Sequence, residues 1–224
     1  MAANVRHSSE TAEHYTPAYV VDVVRAALGT IDVDPASCEA ANRVVQARHF
    51  FTRADDGLRQ PWRGTVFLNP LGGWCDADGR LVIKGSKTAP ACTVSGACGL
   101  PPGHTHVGVT SSQKRWWEEL ARRFDRGDVA AAVFLSFSVE LLQTSQVDAT
   151  SRTPHSFTIC FPSRRIAYTR EDGTKGASPP HSSMLVYLGP DVARFVSLTS
   201  ELGRSMGPVQ VKALPDLRAA QVQR

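Results

Sequence analysis

Trp62-Arg63-Gly64-Thr65-Val66-Phe67-Leu68-Asn69-Pro70-Leu71-Gly72-Gly73 is the stretch whose reading decides the fold. Thr65 to Leu68 is a short apolar, partly β-branched run, bounded by Gly64 on one side and Asn69-Pro70 on the other. That pattern predicts a buried strand of an α/β sheet. Asn69 and Pro70 then lie just past its carboxyl end, the edge at which open α/β sheets hold their ligands. Pro70 lacks an N–H and disfavours a helical Asn69, so the chain turns there and both carbonyl groups can face a cleft.

Upstream, Val20, Val21, Val24, Ala27 and Leu28 recur at helical spacing. With Thr16 as N-cap, Pro17 in the first turn and Gly29 as the stop, they predict a helix over residues 18–28. Ile31-Asp32-Val33-Asp34-Pro35-Ala36-Ser37 alternates briefly and ends in Asp-Pro, a first strand running into a loop. The separation of Asp34 and Asn69 suits a βαβ step of about 30 residues or more. Both residues can therefore open onto one edge of a parallel sheet. Residues 39–47 are weakly helical. Downstream, residues 112–125 predict a helix with Trp116, Leu120 and Phe124 on one face. Residues 130–137 read as a buried strand, 139–146 as a helix and 156–161 as a strand ending at Pro162. Ile166-Ala167-Tyr168 and residues 183–189 suggest a closing antiparallel hairpin. A chain of 224 residues accommodates one α/β domain over residues 1–224 with an insertion.

That insertion is residues 74–110, rich in Gly, Pro, Thr and Ser, with three of the five cysteines and two of the seven histidines. Asp76-Ala77-Asp78-Gly79 reads as a hairpin turn. The segment is too polar to build its own core and needs a staple. Cys75, Cys92, Cys98 and His104, the last preferred to His106, form a ligand set suited to a structural zinc. A loop with free thiols is the alternative. Cys38 and Cys160 fall in the sheet region and read as packed core cysteines.

The hydrophobic fraction of 42% is ordinary for a globular protein, and no apolar run approaches a membrane span. The first residues lack a signal peptide's apolar segment, so a cytoplasmic location is expected. An odd cysteine count without a secretion signal argues against a disulfide framework. Ser, His and Cys show no nucleophile-elbow or triad spacing, which leaves a hydrolase unsupported. The net charge of +4 is compatible with a nucleic-acid partner. Lys84, Lys87, Lys114, Arg115, Arg122, Arg123, Arg164 and Arg165 are the cationic candidates. Arg122 and Arg123 fit a solvated helix face equally well, whereas Arg164-Arg165 follow a strand end.

An Asn-Pro pair at a strand end is a common turn opener. It also has a chemical use. The exocyclic amine of a nucleobase is a poor nucleophile because its lone pair is delocalised into the ring. An amide oxygen and a neighbouring main-chain oxygen that accept from its two N–H groups favour a pyramidal nitrogen, through preorganised dipoles.

Tyr15-Thr16-Pro17, then Asp32-Val33-Asp34-Pro35-Ala36-Ser37, Asp55-Asp56-Gly57-Leu58, Trp62 and Val66-Phe67-Leu68-Asn69-Pro70, in that order, resemble the phage-type DNA N6-adenine methyltransferase family. Phe161-Pro162-Ser163-Arg164-Arg165-Ile166 and the run Ser183 to Gly189 are similar to that family's final strands. The likeness covers most of the chain apart from residues 74–110 and the two tails. It implies a mostly parallel seven-stranded Rossmann-like methyltransferase sheet with an antiparallel last strand, S-adenosylmethionine as cofactor, and double-stranded DNA as partner. By the same resemblance, Tyr15, Thr16 and Pro17 cover the cofactor's methionine end. Asp34, Pro35, Ala36 and Ser37 form the loop beneath it, and Asp56 lies near the adenosine. Asn69 and Pro70 are the first half of the catalytic loop. Independently of the resemblance, Lys114, Arg115, Arg164 and Arg165 are the DNA-contact candidates, because Lys and Arg beside Trp and Ser/Thr suit phosphate contact and stacking. Two positions depart from the family. Leu71 replaces a second proline, and Gly72 stands where an aromatic ring stacks on the extruded base, leaving Trp74, Trp116 or Trp117 to supply that face. Cytosine N4 would be served by the same loop chemistry, and a catalytically silent DNA-binding protein is the rival of another class.

The cysteine segment yields a direct test. Protein purified without chelator is expected to carry one zinc per chain by elemental analysis, and its absence removes the zinc assignment.

Overall fold

The computed structural model describes residues 15–70, 72, 74–75, 81–82, 84–86, 89–92, 110–136, 139–146, 152–170, 174, 176 and 182–208. Helix α1, Ala18–Leu28, forms where the spacing predicts and buries Val20, Val21, Val24 and Ala27. Pro17, not Thr16, occupies its N-cap position, and the Pro17 carbonyl accepts from the N–H groups of Val20 and Val21. Helix α2, Glu39–Val45, is capped by the Cys38 sulfur, which accepts from the Ala41 N–H. Cys38 is thus a half-buried cap rather than a core residue, whereas Cys160 is fully buried.

Seven strands build the main sheet: β1 (Val33–Asp34), β2 (His49–Phe50), β3 (Gly64–Leu68), β4 (Val129–Ser136), β5 (Thr158–Pro162), β6 (Met184–Leu188) and β7 (Gly203–Met206). Their spatial order is β7-β5-β6-β4-β3-β1-β2. The ladders β2–β1, β1–β3 and β3–β4 are parallel, and β4–β6, β6–β5 and β5–β7 are antiparallel. The expected seven-stranded mixed sheet is present, but two strands are reversed, β6 and β7, instead of a single last one.

The closing hairpin is also arranged differently. β6 pairs with β4 and β5 and not with residues 166–168, which are not a strand. All five residues of β6 are buried, and such a strand is best covered in the sheet interior. Ile166 and Tyr168 instead pack into the core that includes Val20, Val21 and Val24 of α1. β2, β7 and helix α5 (Val192–Thr199) are elements that the sequence pattern did not reveal.

Helices cover both faces. On one, α1, α2 and α5 pack on Phe67, Val133, Leu135 and Leu185. On the other, helix α3 (Ser112–Asp125) and helix α4 (Glu140–Thr144) pack on Val66, Leu68, Phe134 and Val186. The alternation of Val66, Phe67 and Leu68 between the two cores is the period-2 pattern of a doubly covered strand. Trp117 is fully buried, edge-on to Phe134 and Phe157, and Trp116 stacks on Trp62 at 6.0 Å.

Within residues 74–110, Trp74–Cys75 pairs antiparallel with Leu81–Val82 and with Thr110–Ser111, and Lys84–Ser86 pairs with Ala89–Cys92. The turn at residues 76–79, with Lys87, Cys98, His104 and His106, lies outside the described residues. No described helix is long and apolar enough to cross a membrane.

The Asp56-Gly57-Leu58 loop is pressed against the loop after β1. A Cβ at Gly57 would stand 1.8 Å from the Pro35 carbonyl oxygen, so only glycine fits. The Gly57 carbonyl in turn accepts the Trp62 indole N–H at 2.8 Å, and the Leu58 carbonyl accepts from Arg123. Gly57→Ala is expected to destabilise the fold by about 3 kcal/mol through overpacking of backbone on backbone. Urea unfolding measures this, and a loss below about 1 kcal/mol would contradict the packing described.

Candidate functional site

Strands β1 and β3 are parallel neighbours, so Asp34 and Asn69 emerge at the same carboxyl edge of the sheet. A cleft of about 80 Å³ opens there on the α1–α2 face, lined by Tyr15, Thr16, Asp34, Ala36, Ser37, Cys38, Ala41, Val45, Phe67 and Asn69. Tyr15, Thr16, Asp34 and Ser37, four of the positions singled out in the sequence, therefore share one cavity with Asn69. Pro17 and Pro35, also singled out, are buried and do not line it.

Asn69 is half-buried, and its amide nitrogen donates to the Thr16 hydroxyl at 2.9 Å. With the NH2 end so engaged, the amide oxygen is the end left to accept from a ligand. The Pro70 carbonyl accepts from the Gln113 side-chain amide at 3.2 Å, which uses one of its two lone pairs. Thr16, read from sequence as a helix cap and a cofactor contact, thus also orients the Asn69 amide.

Asp34 is 3% exposed, and its carboxyl is pushed up to about 7, principally by burial. The Ser37 hydroxyl and the Ala36 N–H, the latter donating at 3.3 Å, act in the opposite direction. No cation pairs with Asp34 among the described residues. The Ser37 hydroxyl oxygen is itself buried without a hydrogen bond of good geometry. A buried carboxyl that meets a hydroxyl and an N–H but, among the described residues, no cation suits the cationic, hydrogen-bonding end of a small ligand.

Tyr15 is tied down by reciprocal backbone hydrogen bonds with Thr169 at 2.9 and 3.0 Å. The Cys38 thiol donates to its phenolic oxygen at 3.8 Å. Residues 163–170 thus run from the end of β5 to the rim of the cleft. β5 is parallel to β3 and β4, since it is antiparallel to β6, which is antiparallel to β4. Exposed Arg164 and Arg165 therefore lie on the carboxyl edge that carries Asn69.

Other candidates are placed elsewhere. Asp56 is exposed, adopts a left-handed φ of 51° and pairs with Arg59 at 3.1 Å, and it does not line the cleft. Its motif braces the β1 loop from behind. Arg123 is buried, 4.4 Å above the Trp62 ring and ion-paired with Glu119, so it is part of the packing. Arg122 remains at the surface, also paired with Glu119. Lys114 pairs with Glu118 at 3.7 Å, and Arg115 is half-buried. Of the three candidates for a stacking face, Trp117 is committed to the core and half-buried Trp116 stacks on Trp62, while the side chain of Trp74 lies outside what is described. Gln113 and Ser136, both buried beside Pro70, were not singled out in the sequence; isolated polar residues at element ends carry no local signal. Among the described residues no group of His, Cys, Asp and Glu is arranged to hold a metal ion.

Comparison with known protein families, curated proteins and solved structures finds no match to this chain.

The Asp34 carboxyl sets a pH test. A folded-state value near 7 against an ordinary 3.8 means the folded chain holds this proton more tightly than the unfolded chain. The associated stability is fully present below pH 3.8 and is lost as pH rises through 7, a total of roughly 4 kcal/mol. Asp34→Asn cannot ionise, so its stability relative to wild type is expected to climb between pH 4 and pH 8, as read by urea unfolding. A flat difference across that window would show that the carboxyl is not desolvated.

Proposed function

We propose that this chain transfers a methyl group from S-adenosylmethionine to the exocyclic N6 amine of adenine in double-stranded DNA. The observation that carries the reading is the single cleft shared by the Asn69 amide and the buried Asp34 carboxyl at adjacent strand ends. The motif order from Tyr15 to Pro70, with its resemblance to phage-type N6-adenine methyltransferases, supports it.

When bound, the cofactor supplies an activated methyl group on a positively charged sulfur. Everything else falls to the chain. Asp34, Ser37 and Tyr15 would hold the cofactor's cationic end, and a cation beside Asp34 would lower its raised pKa so that the carboxyl releases its proton to solvent and pairs as carboxylate. The Asn69 amide oxygen accepts one N–H of the target amine, and the Pro70 carbonyl accepts the other through its remaining lone pair. The nitrogen lone pair would then be directed at the methyl carbon, the N–C bond forming as the S–C bond breaks, with the neutral thioether leaving and the surplus amine proton passing to water. Because both acceptors are positioned before substrate arrives, little reorganisation accompanies the reaction. The target base has to leave the duplex stack to reach the cleft. Arg164 and Arg165 lie on the same edge and are exposed, which suits contacts to the phosphate backbone, whereas Lys114 is largely buried and paired with Glu118.

A second reading, a catalytically silent DNA-binding protein of the same fold, is favoured by one feature. Gly72 presents no ring to an extruded base, and Trp116 and Trp117 are occupied in the core. Titration calorimetry with S-adenosylmethionine, with and without DNA, separates the two, since a chain that never binds the cofactor is no methyltransferase. Transfer of labelled methyl to DNA followed by nucleoside analysis distinguishes N6-methyladenine from N4-methylcytosine. Asn69→Ala is expected to lower turnover by about 100-fold or more, with cofactor affinity nearly unchanged. Turnover at the wild-type rate in that variant would remove Asn69 from its role.

A further inference from the structure

We propose that Gln113 and Ser136 are positioning residues that set the direction of the Pro70 carbonyl, an inference that rests on the methyl-transfer reading. Gln113 is 4% exposed and lies in the first turn of α3, on the sheet face opposite the cleft. Its amide nitrogen donates to the Pro70 carbonyl at 3.2 Å, and its amide oxygen accepts from the Ser136 hydroxyl. Ser136 is fully buried at the end of β4. Leu68 pairs with Phe134 in the β3–β4 ladder, so Pro70 and Ser136, each two residues further on, stand level across neighbouring strands.

The order of the chain of bonds fixes its polarity. A carbonyl oxygen can only accept, so the Gln113 end that meets Pro70 must be the NH2. The other end, an amide oxygen, then requires a donor, and the Ser136 hydroxyl provides one. A flipped amide would set two acceptor oxygens against each other. The carbonyl is held along one lone pair while the second stays available at roughly 120° to it, the geometry of a shared sp² oxygen. Without Gln113, the Pro70 peptide could rotate about its flanking bonds, and the second acceptor for the amine would lose its aim.

Packing alone does not account for the arrangement. An apolar side chain of similar volume would fill the same space without the cost of burying an amide and a hydroxyl. Here those groups are satisfied by one another and by a main-chain oxygen of the proposed catalytic loop. Gln113 touches neither base nor cofactor in this scheme; it acts through Pro70.

The test measures methyl transfer to unmethylated genomic DNA, under single-turnover and steady-state conditions, for wild type, Gln113→Met, Ser136→Ala and the double variant. Gln113→Met is expected to lower kcat by about 10- to 100-fold, with KM for DNA and cofactor affinity within about twofold. Ser136→Ala should fall between it and wild type, and the double variant should be no slower than Gln113→Met, because the two act in series. Ser136→Ala is the smaller change and carries the test if Gln113→Met does not fold. An active wild type whose Gln113→Met and Ser136→Ala variants keep kcat, or lose activity only through KM, overturns this inference and leaves the function standing. A wild type that transfers no methyl overturns both.

Discussion

The carboxyl end of β3 is held from both faces of the sheet, and the candidate chemistry depends on that grip. From the α1 side, the Thr16 hydroxyl takes the Asn69 NH2 group. From the α3 side, the Gln113 amide takes the Pro70 carbonyl. The first contact engages the amide nitrogen and leaves the Asn69 oxygen as the acceptor at the cleft, and the second fixes the direction of the buried Pro70 carbonyl. A loop just past a strand end would otherwise be among the most mobile parts of an α/β protein. Hydrogen bonds from elements on two layers convert it into a surface of fixed dipoles, which is what electrostatic preorganisation requires.

The same edge shows how a site can be built at some expense to stability. Asp34 is buried with no cation paired to it among the described residues, and burial pushes its carboxyl up to about 7. Nothing in the fold requires an acid there: the Ala36 N–H that it accepts could be met by an amide oxygen. A buried acid of raised pKa at a cleft is the kind of group that marks a candidate site, which is why Asp34 enters the proposed function. Around it the structure is strongly braced. Gly57 lies against Pro35 from behind, Trp62 and Arg123 hold the Gly57 loop, and Thr169 anchors Tyr15 at the rim.

That bracing explains which candidates kept a place at the cleft. Asp56 drew attention as an acid in a short motif, yet the motif's buried work is done by Gly57 and by the Leu58 carbonyl, with Asp56 turned to solvent. Arg123 looked like one of a pair of surface cations, but the helix turns it inward onto Trp62, where Glu119 neutralises it. Trp116 and Trp117 were open to a base-stacking role, and both are absorbed by aromatic packing. In each case residue type was a fair guide to chemistry and a poor guide to direction. Direction on a helix depends on which face meets the sheet, and that is settled by contacts distant in sequence.

What the sequence by itself determined was local. The apolar run ending at Asn69-Pro70, the helical spacing over residues 18–28 and the short strand ending at Asp34 follow from period and from proline and glycine placement. Those signals allowed Asp34 and Asn69 to share one sheet edge, and the parallel pairing of β1 with β3 places them there. Only the tertiary structure decided the strand order, with β6 inserted between β4 and β5, and the pairing of Tyr15 with Thr169. It alone brought Thr16, Gln113 and Ser136 to the catalytic-loop candidates. Sheet order and buried polar partners depend on which surfaces must be covered and which hydrogen bonds satisfied in three dimensions, and neither leaves a periodic trace along the chain.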